Sequence, residues 1–140
     1  MPNDKEGSRA VGVLIYVKKR FRFRTKVVAR STCLGVEYIF VQLSFKSNKV
    51  LVGCVYLPNP SKSLLKNLQR ELKILVTVYH GLIVVGDFNI NVLNPLGLSR
   101  CYVEMLNEIS LNVVNDSQPT NFVNLSSTLI DHIHYTTDIL

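Results

Sequence analysis

The segment LIVVGDFNIN, residues 82–91, ends an apolar run with a carboxylic acid and an amide. The carboxylate of Asp87 can hold a metal-bound water or orient a nucleophile, and the amide of Asn89 can donate to a phosphate oxygen. The two side chains are two positions apart, so both point the same way if the backbone stays extended. Functional side chains of α/β proteins collect at the carboxyl ends of strands, which makes this segment the first candidate for chemistry.

Two further segments carry groups that suit the same chemistry. Tyr56 ends the apolar stretch VLVGCVYL, and a phenol there can donate to a phosphate or to a developing negative charge. Asp131 lies within the strand-like STLIDHIHY, where a carboxylate costs free energy unless it is paired or used.

Each of these groups also has a purely structural interpretation. GDFN can form a turn, in which Gly and Asn adopt unusual backbone angles and Asp87 caps the loop. Tyr56 can be an ordinary strand aromatic, and Asp131 can pair with a buried basic group. His132 and His134 fit positions on the face of a strand. Residue types alone leave both interpretations open.

A basic run, KKRFRFRTK at residues 18–26, has six cationic residues among nine. The cations are Lys18, Lys19, Arg20, Arg22, Arg24 and Lys26. They can contact a DNA backbone while the interleaved Phe21 and Phe23 stack on bases. Alternatively, the run is a solvated hairpin whose phenylalanines point inward while its arginines point out. Both interpretations stay open.

Composition limits the class of protein. The chain has 140 residues and is 47% hydrophobic, which suits one domain with a real core. We expect a disordered segment at residues 1–10 and the domain at residues 11–140. The net charge of +6 favours a polyanionic partner such as DNA. No apolar run approaches the ~18 residues of a membrane span, and the N-terminus lacks the apolar stretch of a signal peptide.

The three widely spaced cysteines predict neither disulfides nor a zinc site. They suit a reducing compartment, so we expect an intracellular protein, nuclear or cytoplasmic.

The hydrophobic periodicity predicts alternating strands and helices. Strands are expected at residues 11–18, 26–30, 36–45, 50–57, 82–86, 111–114 and 129–135. Helices are expected from Ser61 to near His80 and from a cap at Ser99 through Ile109, and residues 116–127 read as a polar loop. A tight turn at Ser47-Asn48 joins two strands into a hairpin. The predicted fold class is α/β with mixed sheets.

Taken in order, these segments resemble the endonuclease/exonuclease/phosphatase superfamily and, more narrowly, the endonuclease domain of non-LTR (LINE-type) retrotransposons. The similar segments are AVGVLIYVKK, VEYIFVQLSF, VGCVYLPNP, LIVVGDFNIN, PTNF and SSTLIDHIHY, of which LIVVGDFNIN is the most specific. The resemblance implies a DNase I-like fold, here a partial four-layer β-sandwich of mixed sheets flanked by helices.

The resemblance also implies roles for particular residues. Tyr56 takes the place of a tyrosine that contacts the scissile phosphate, and Asn89 that of an amide that holds this phosphate. Asp87 takes the place of the aspartate that orients or activates the attacking water. Asp131 takes that of a supporting aspartate, and Thr120 lies near the same pocket. The implied cofactor is Mg²⁺, the implied substrate is DNA, contacted also by the basic run, and the implied parent polyprotein carries a reverse transcriptase domain.

Two family features have no counterpart here. The early glutamate that binds Mg²⁺ is missing, and Asp4 and Glu6 lie in too polar a setting to replace it, so no residue is assigned as a metal ligand. The late Ser-Asp-His segment is also missing, since Asp131 matches the preceding Ile-Asp segment and not this one.

We therefore expect a fragment, shortened at both ends, of a Mg²⁺-dependent DNA-nicking phosphodiesterase with little or no activity. The alternative is a non-catalytic basic module that binds nucleic acid.

Overall fold

The computed structural model describes residues 12–22, 24–31, 35–79, 81–114, 118–123 and 126–136. The strands are β1 (Arg24–Arg30), β2 (Glu37–Phe45), β3 (Asn48–Tyr56), β4 (Leu82–Asp87), β5 (Asn112–Val113), β6 (Asn121–Val123), β7 (Ser126–Thr128) and β8 (Asp131–Tyr135). The helices are α1 (Lys62–Val78) and α2 (Leu98–Glu108), and a 3₁₀ turn covers Lys19–Phe21. Neither α1 nor α2, the α-helices of the described residues, is long and apolar enough to cross a membrane.

Six strands form one mixed sheet in the order β1-β2-β3-β4-β8-β5. Strands β3 and β4 pair in parallel, because α1 between them returns the chain to the end of the sheet where β3 began. The other pairs are antiparallel. Strands β6 and β7 form a separate hairpin. The predicted α/β class with mixed sheets is therefore confirmed.

Both helices pack on the same face of this sheet. Helix α1 contributes four buried leucines to the core, Leu65, Leu68, Leu72 and Leu75. They meet the helix-facing residues of the central strands, Phe40, Leu51, Val55, Leu82 and Val84. Side chains alternate along a strand, so the residues between these positions point to the opposite face. Tyr56, Asp87 and Asp131 belong to that opposite face.

Several predicted elements are confirmed. The hairpin of β2 and β3 is present, with its turn at Lys46-Ser47, one residue before the predicted position. Helix α1 begins after Ser61, whose hydroxyl accepts a hydrogen bond from Leu64 N at 3.3 Å. It ends at Val78, and His80 lies outside the described residues.

The strand predicted at residues 11–18 is wrong for the described part, residues 12–18. Exposure alternates along this segment as in a strand, but no ladder within the described ranges includes it. It lies against the face opposite the helices, where the Leu14 backbone hydrogen-bonds Cys54. The alternating sequence thus reflects packing on one side without strand pairing.

Two other predictions need correction. Helix α2 begins at Leu98, and the Ser99 hydroxyl does not cap it but bonds both the backbone N and O of Leu96. The loop predicted at residues 116–127 contains β6 and the start of β7, while residues 115–117 and 124–125 lie outside the described residues. Short polar strands such as these carry no apolar alternation, so periodicity does not reveal them.

Gly86 allows β3 and β4 to approach closely beside the predicted site. A Cβ at this position would overlap the carbonyl oxygen of Val55 on the neighbouring strand. Because the obstacle is backbone, it cannot rotate away. The glycine of GDFN is therefore required by strand packing.

We expect Gly86→Ala to lower the free energy of unfolding by about 2–3 kcal/mol, because the added methyl forces two central strands apart. Chemical denaturation followed by circular dichroism measures this change. Gly12→Ala is the matched control, since a Cβ at Gly12 meets no atom within 4 Å. Equal stability of the two variants would contradict the close-approach argument.

Candidate functional site

Three of the predicted site residues lie side by side across three strands. Tyr56 of β3 is in register with Asp87 of β4, and Asp87 is in register with Asp131 of β8. Cross-strand partners have their Cβ atoms about 5 Å apart and share a face of the sheet. The parallel strands β3 and β4 end at this edge, and the antiparallel β8 begins there. The sheet therefore brings a phenol and two carboxylates into one row.

The loop after β4 brings Asn89 close to this row by a turn. Asn89 has a left-handed backbone with φ of 50°, so the backbone does not stay extended from Asp87 to Asn89. Its backbone N donates to Asp87 Oδ1 at 3.0 Å, and its Nδ2 donates to the Leu57 carbonyl at 3.2 Å. The backbone of this segment therefore forms the turn of the structural interpretation. The same turn places the Asn89 amide against Leu57, the residue after Tyr56.

Phe88 anchors this turn in the core. Its side chain is 1% exposed, and its backbone N donates to the Ile130 carbonyl at 2.9 Å. On the other side, Leu57 N donates to the Asp87 carbonyl at 2.9 Å. The Asp87–Asn89 turn is therefore held between the end of β3 and the start of β8.

A pocket of about 430 Å³ opens on this edge. Its lining consists of Val85, Gly86, Asp87, Val114, Thr120, Leu129, Asp131, His132 and Ile133. The Thr120 hydroxyl accepts from the backbone N of both Ile130, at 3.2 Å, and Asp131, at 3.1 Å. Thr120 therefore fixes the start of β8, which carries Asp131.

Asn91 is a positioning residue that the sequence analysis missed. Its Oδ1 accepts from the backbone N of Leu93 and of Leu129, both at 3.2 Å, which ties the loop after Asn89 to the segment before β8. The repeated asparagine of NIN is the only sequence signal for it.

The basic run lies at the other end of the sheet. Arg24 is in register with Ser44 of β2, whereas Glu37 of β2 is in register with Tyr56. The seven residue steps from Glu37 to Ser44 span about 23 Å along the strand. The residues Lys18, Lys19, Arg20 and Arg22 precede Arg24, and none of these cations lines the pocket. The run and the site residues therefore lie at different ends of the sheet, and its contact with DNA stays a prediction.

Phe21 of the basic run differs from the inward-pointing alternative. Phe21 is 48% exposed, and the Arg20 guanidinium carbon lies 5.0 Å from the centre of its ring. Phe23 lies outside the described residues.

Two histidines on the buried face of β8 lie beneath the site. The Tyr102 hydroxyl of α2 is 3.2 Å from His132 Nδ1 and 2.7 Å from His134 Nε2. His132 Nε2 is 3.0 Å from the Leu129 carbonyl, which can only accept, so this nitrogen carries a proton. Tyr102 then donates to His132 Nδ1 and accepts from His134 Nε2, which leaves His134 Nδ1 as a buried acceptor without a partner among the described atoms. This network joins α2 to β8, and no sequence spacing indicated it.

Burial keeps both imidazoles neutral at pH 7. It lowers the pKa of His134 to about 3, and the nearby His132 adds to the effect. Burial also lowers the pKa of His132, although hydrogen bonds and the carboxylates of Asp131 and Asp87 oppose this shift. Neither histidine supplies a positive charge to the pocket.

The two carboxylates suit a hard divalent cation better than a zinc-type ion. Mg²⁺ takes oxygen ligands and commonly uses only one or two protein carboxylates, with water or substrate phosphate in the other positions. Asp87 and Asp131 supply that number. No group of three or more His, Cys, Asp and Glu that could hold a metal occurs among the described residues. Asp87 and Asp131 are the residues of this site that could hold such an ion.

Comparison with known proteins gives a likeness of structure only. No protein-family model matches the sequence, and no curated protein does. The endonuclease domain of TRAS1, a telomere-specific non-LTR retrotransposon, is similar with a TM-score of 0.63 and 16% identity, over 84% of this chain and 55% of that one.

Two other solved structures show the same likeness. The 3′ phosphatase NExo from Neisseria, bound to a product DNA hairpin, has a TM-score of 0.54 and 14% identity, over 86% of this chain and 69% of that one. The inositol polyphosphate 5-phosphatase domain of SPsynaptojanin has a TM-score of 0.55 and 11% identity, over 81% of this chain and 46% of that one.

These similarities confirm the predicted resemblance at the level of fold. The chain has the DNase I-like fold of endonuclease/exonuclease/phosphatase structures, including a retrotransposon endonuclease domain. It spans about half the length of the TRAS1 domain.

The buried histidines make stability depend on acid. Since His134 has a folded pKa of about 3 and an unfolded pKa near 6.5, the unfolded chain binds the proton first as the pH falls. The stability that neutral His134 contributes is fully present above pH 6.5 and is lost as the pH falls from 6.5 to 3. We expect a loss of about 2–3 kcal/mol from His134 between pH 7 and 4.5.

Urea denaturation at several pH values measures this loss. His134→Phe, which retains an aromatic ring but cannot titrate, should give a flatter profile whatever its stability at pH 7. Equal slopes for the two proteins would overturn the assignment.

The in-register carboxylates repel each other when no cation is present. We expect Asp87→Asn to raise the free energy of unfolding by about 0.5 kcal/mol in low salt, because it removes like charges from directly opposite positions. Asn keeps the oxygen that accepts from Asn89 N. Asp87→Ala removes this acceptor as well and should be less stable than Asp87→Asn by about 1 kcal/mol. Chemical denaturation measures both variants, and equal stabilities would contradict this geometry.

Proposed function

We propose that this chain is part of a phosphodiesterase that acts on DNA, of the kind that nicks DNA for a non-LTR retrotransposon. The observation that carries the proposal is the in-register row of Tyr56, Asp87 and Asp131, with the Asn89 amide beside it. The fold shared with the TRAS1 endonuclease domain and with a DNA-bound phosphatase from Neisseria supports DNA as the substrate.

Asp87 is the group that orients the attacking water. One of its oxygens accepts from Asn89 N, which fixes the plane of the carboxylate at the edge of the pocket. The carboxylate has further lone pairs that accept a hydrogen bond from a water and, as this water attacks phosphorus, its proton.

Tyr56 and Asn89 contact the phosphate. Tyr56 is in register with Asp87, and we assign its phenol as the donor to a phosphoryl oxygen, where negative charge increases during attack. The Asn89 side-chain amide has two N–H donors. One donates to the Leu57 carbonyl and so fixes the orientation of the amide, which leaves the second N–H to donate to the phosphate.

Asp87 and Asp131 are the residues that would hold Mg²⁺, and Thr120 fixes the backbone of the second. When bound, the ion neutralises charge on the phosphoryl oxygens and on the leaving oxygen. Two carboxylates leave most of about six ligand positions to water, so we expect weak binding of the ion. Catalytic groups that act as a unit lose almost all of their rate when one is missing, and the early glutamate and the late Ser-Asp-His segment of the resembled family have no counterpart in this sequence. We therefore propose that these 140 residues recognise the phosphodiester but cleave it little or not at all.

The proposal extends to the parent protein and to its place in the cell. A nicking domain of a retrotransposon works with a reverse transcriptase, so we propose such a domain in the parent polyprotein. Its DNA target lies in the nucleus, where we propose that the protein acts after synthesis in the cytoplasm.

The metal assignment can be tested with Mn²⁺, a paramagnetic ion with a similar preference for oxygen ligands. We expect broadening of the backbone amide signals of Asp87 and Asp131 in a ¹H–¹⁵N spectrum at about millimolar Mn²⁺. Asp87→Asn should weaken the effect at Asp131, and excess Mg²⁺ should reverse it. Broadening elsewhere, with none at this pair, would overturn the assignment.

Cleavage is tested with supercoiled DNA in Mg²⁺. We expect the wild-type chain to nick no faster than a no-protein control, and Asp87→Ala to behave identically. Nicking by the wild type that Asp87→Ala abolishes would show that the two carboxylates suffice for catalysis.

A further inference from the structure

The last cations of the basic run lie together with a lysine of β3 at the end of the sheet farthest from the pocket. Arg24, Ser44 and Lys49 form one in-register row across β1, β2 and β3, and Lys26 is in register with Gln42 in the next row. Register partners share a face of the sheet, so these side chains all lie on the helix-bearing face. We call Arg24, Lys26, Gln42, Ser44, Ser47, Lys49 and Tyr79 the turn-end surface.

The turn-end surface contains a built polar pocket. A cavity of about 380 Å³ is lined by Gln42, Ser47, Lys49, Val78 and Tyr79. The Tyr79 hydroxyl donates to Gln42 Oε1 at 3.0 Å, and Gln42 Nε2 donates to Ser44 Oγ at 2.7 Å. These bonds fix the orientation of the Gln42 amide, so the cavity has a preorganised polar wall with lysine beside it.

The chain segments that carry these cations have few acidic residues. Residues 10–36 and 38–70 contain no Asp or Glu. Glu37, between them, lies at the other end of β2, in register with Tyr56. Lys26, Lys46 and Lys49 are all exposed. The cations therefore attract an anion without competition from a carboxylate on their own strands.

Two exposed aromatic rings lie at the same end of the sheet. Phe45 follows Ser44 in β2, so its side chain points to the face opposite the pocket, and a nucleic acid strand reaches it by crossing the Lys46-Ser47 turn. Phe45 is 44% exposed, with the Lys46 ammonium 5.5 Å from the centre of its ring, and Phe21 is 48% exposed next to Arg20. Aromatic faces between cations are the arrangement on which unpaired bases stack while their phosphates are neutralised. Paired bases inside a duplex are not available for such contacts.

We propose that the turn-end surface binds the phosphodiester backbone of a single nucleic acid strand. A phosphate occupies the 380 Å³ cavity beside Lys49, and neighbouring phosphates contact Lys26 and Arg24. This site is about 23 Å along the strands from the Asp87 pocket, so it binds a different part of the nucleic acid from the phosphodiester at that pocket. It needs neither Mg²⁺ nor Asp87.

The test is fluorescence anisotropy of the full chain with a labelled 20-nucleotide single strand in EDTA. We expect Lys26→Ala/Lys49→Ala to weaken binding by about tenfold and to lower the slope of log K against log salt by about 1.4, the value for two lost phosphate contacts. Lys62→Ala/Lys66→Ala is the matched control, since it removes two exposed lysines of α1, and we expect less than a twofold change. Equal weakening by both variants would show that net charge alone binds the strand, and would overturn the site.

Three further measurements complete the test. All four lysines are exposed, so thermal unfolding should show that both double variants are folded. EDTA removes any divalent cation that could join a phosphate to the Asp87 pocket, which separates failure of this site from failure of the proposed catalytic pocket. A duplex of the same sequence should bind more weakly than the single strand, and heparin of equal charge should compete poorly. Equal affinity for strand, duplex and heparin would overturn the proposed preference.

Discussion

The close approach of β3 and β4 is the contact on which the candidate site depends. These strands run parallel, so both present their carboxyl ends at one edge, and the absence of a side chain at Gly86 lets their backbones meet beside Val55. Tyr56 and Asp87 then follow as register partners. The antiparallel β8 adds Asp131 to the same row from its first residue. A shift of one residue in either pairing would send one of these side chains to the helix-bearing face, because side chains alternate along a strand.

The core under this row is unusually polar for its depth. His132 and His134 occupy positions of β8 that face the helices, where apolar residues are the rule, and both are almost completely buried. Tyr102 compensates by bonding both rings, and Phe88 stacks on His132 with ring centres 5.3 Å apart. The same cluster therefore holds α2, β8 and the Asp87–Asn89 turn together. Its neutral imidazoles stabilise the edge of the site only while they remain unprotonated.

The separation of charge along the sheet gives the molecule two chemically different ends. One end carries the carboxylates Asp87 and Asp131, and the other carries the cations of β1 and of the Lys46-Ser47 turn. Carboxylates near a phosphate binding site repel the substrate unless a cation is present, whereas the turn-end surface attracts it without one. A strand held by the cations would therefore raise the local concentration of nucleic acid near the pocket, even though the two ends are about 23 Å apart.

The sequence by itself determined the elements with strong local signals. Its resemblance to the superfamily indicated which residues belong to the candidate site. The periodicity of Leu65, Leu68, Leu72 and Leu75 defined α1, and the alternation of β2 and β3 defined their hairpin, because burial on one face leaves a fixed period. GDFN and the segments around it indicated the fold. Only the tertiary structure decided that the basic run and the carboxylates lie at opposite ends, since this depends on the register of β1 with β2. It also decided between the extended and the turned backbone at Asn89, which the residues had left open. It alone revealed the contact of Tyr102 with two histidines 30 and 32 residues away, because partners that distant are set by packing and leave no local pattern.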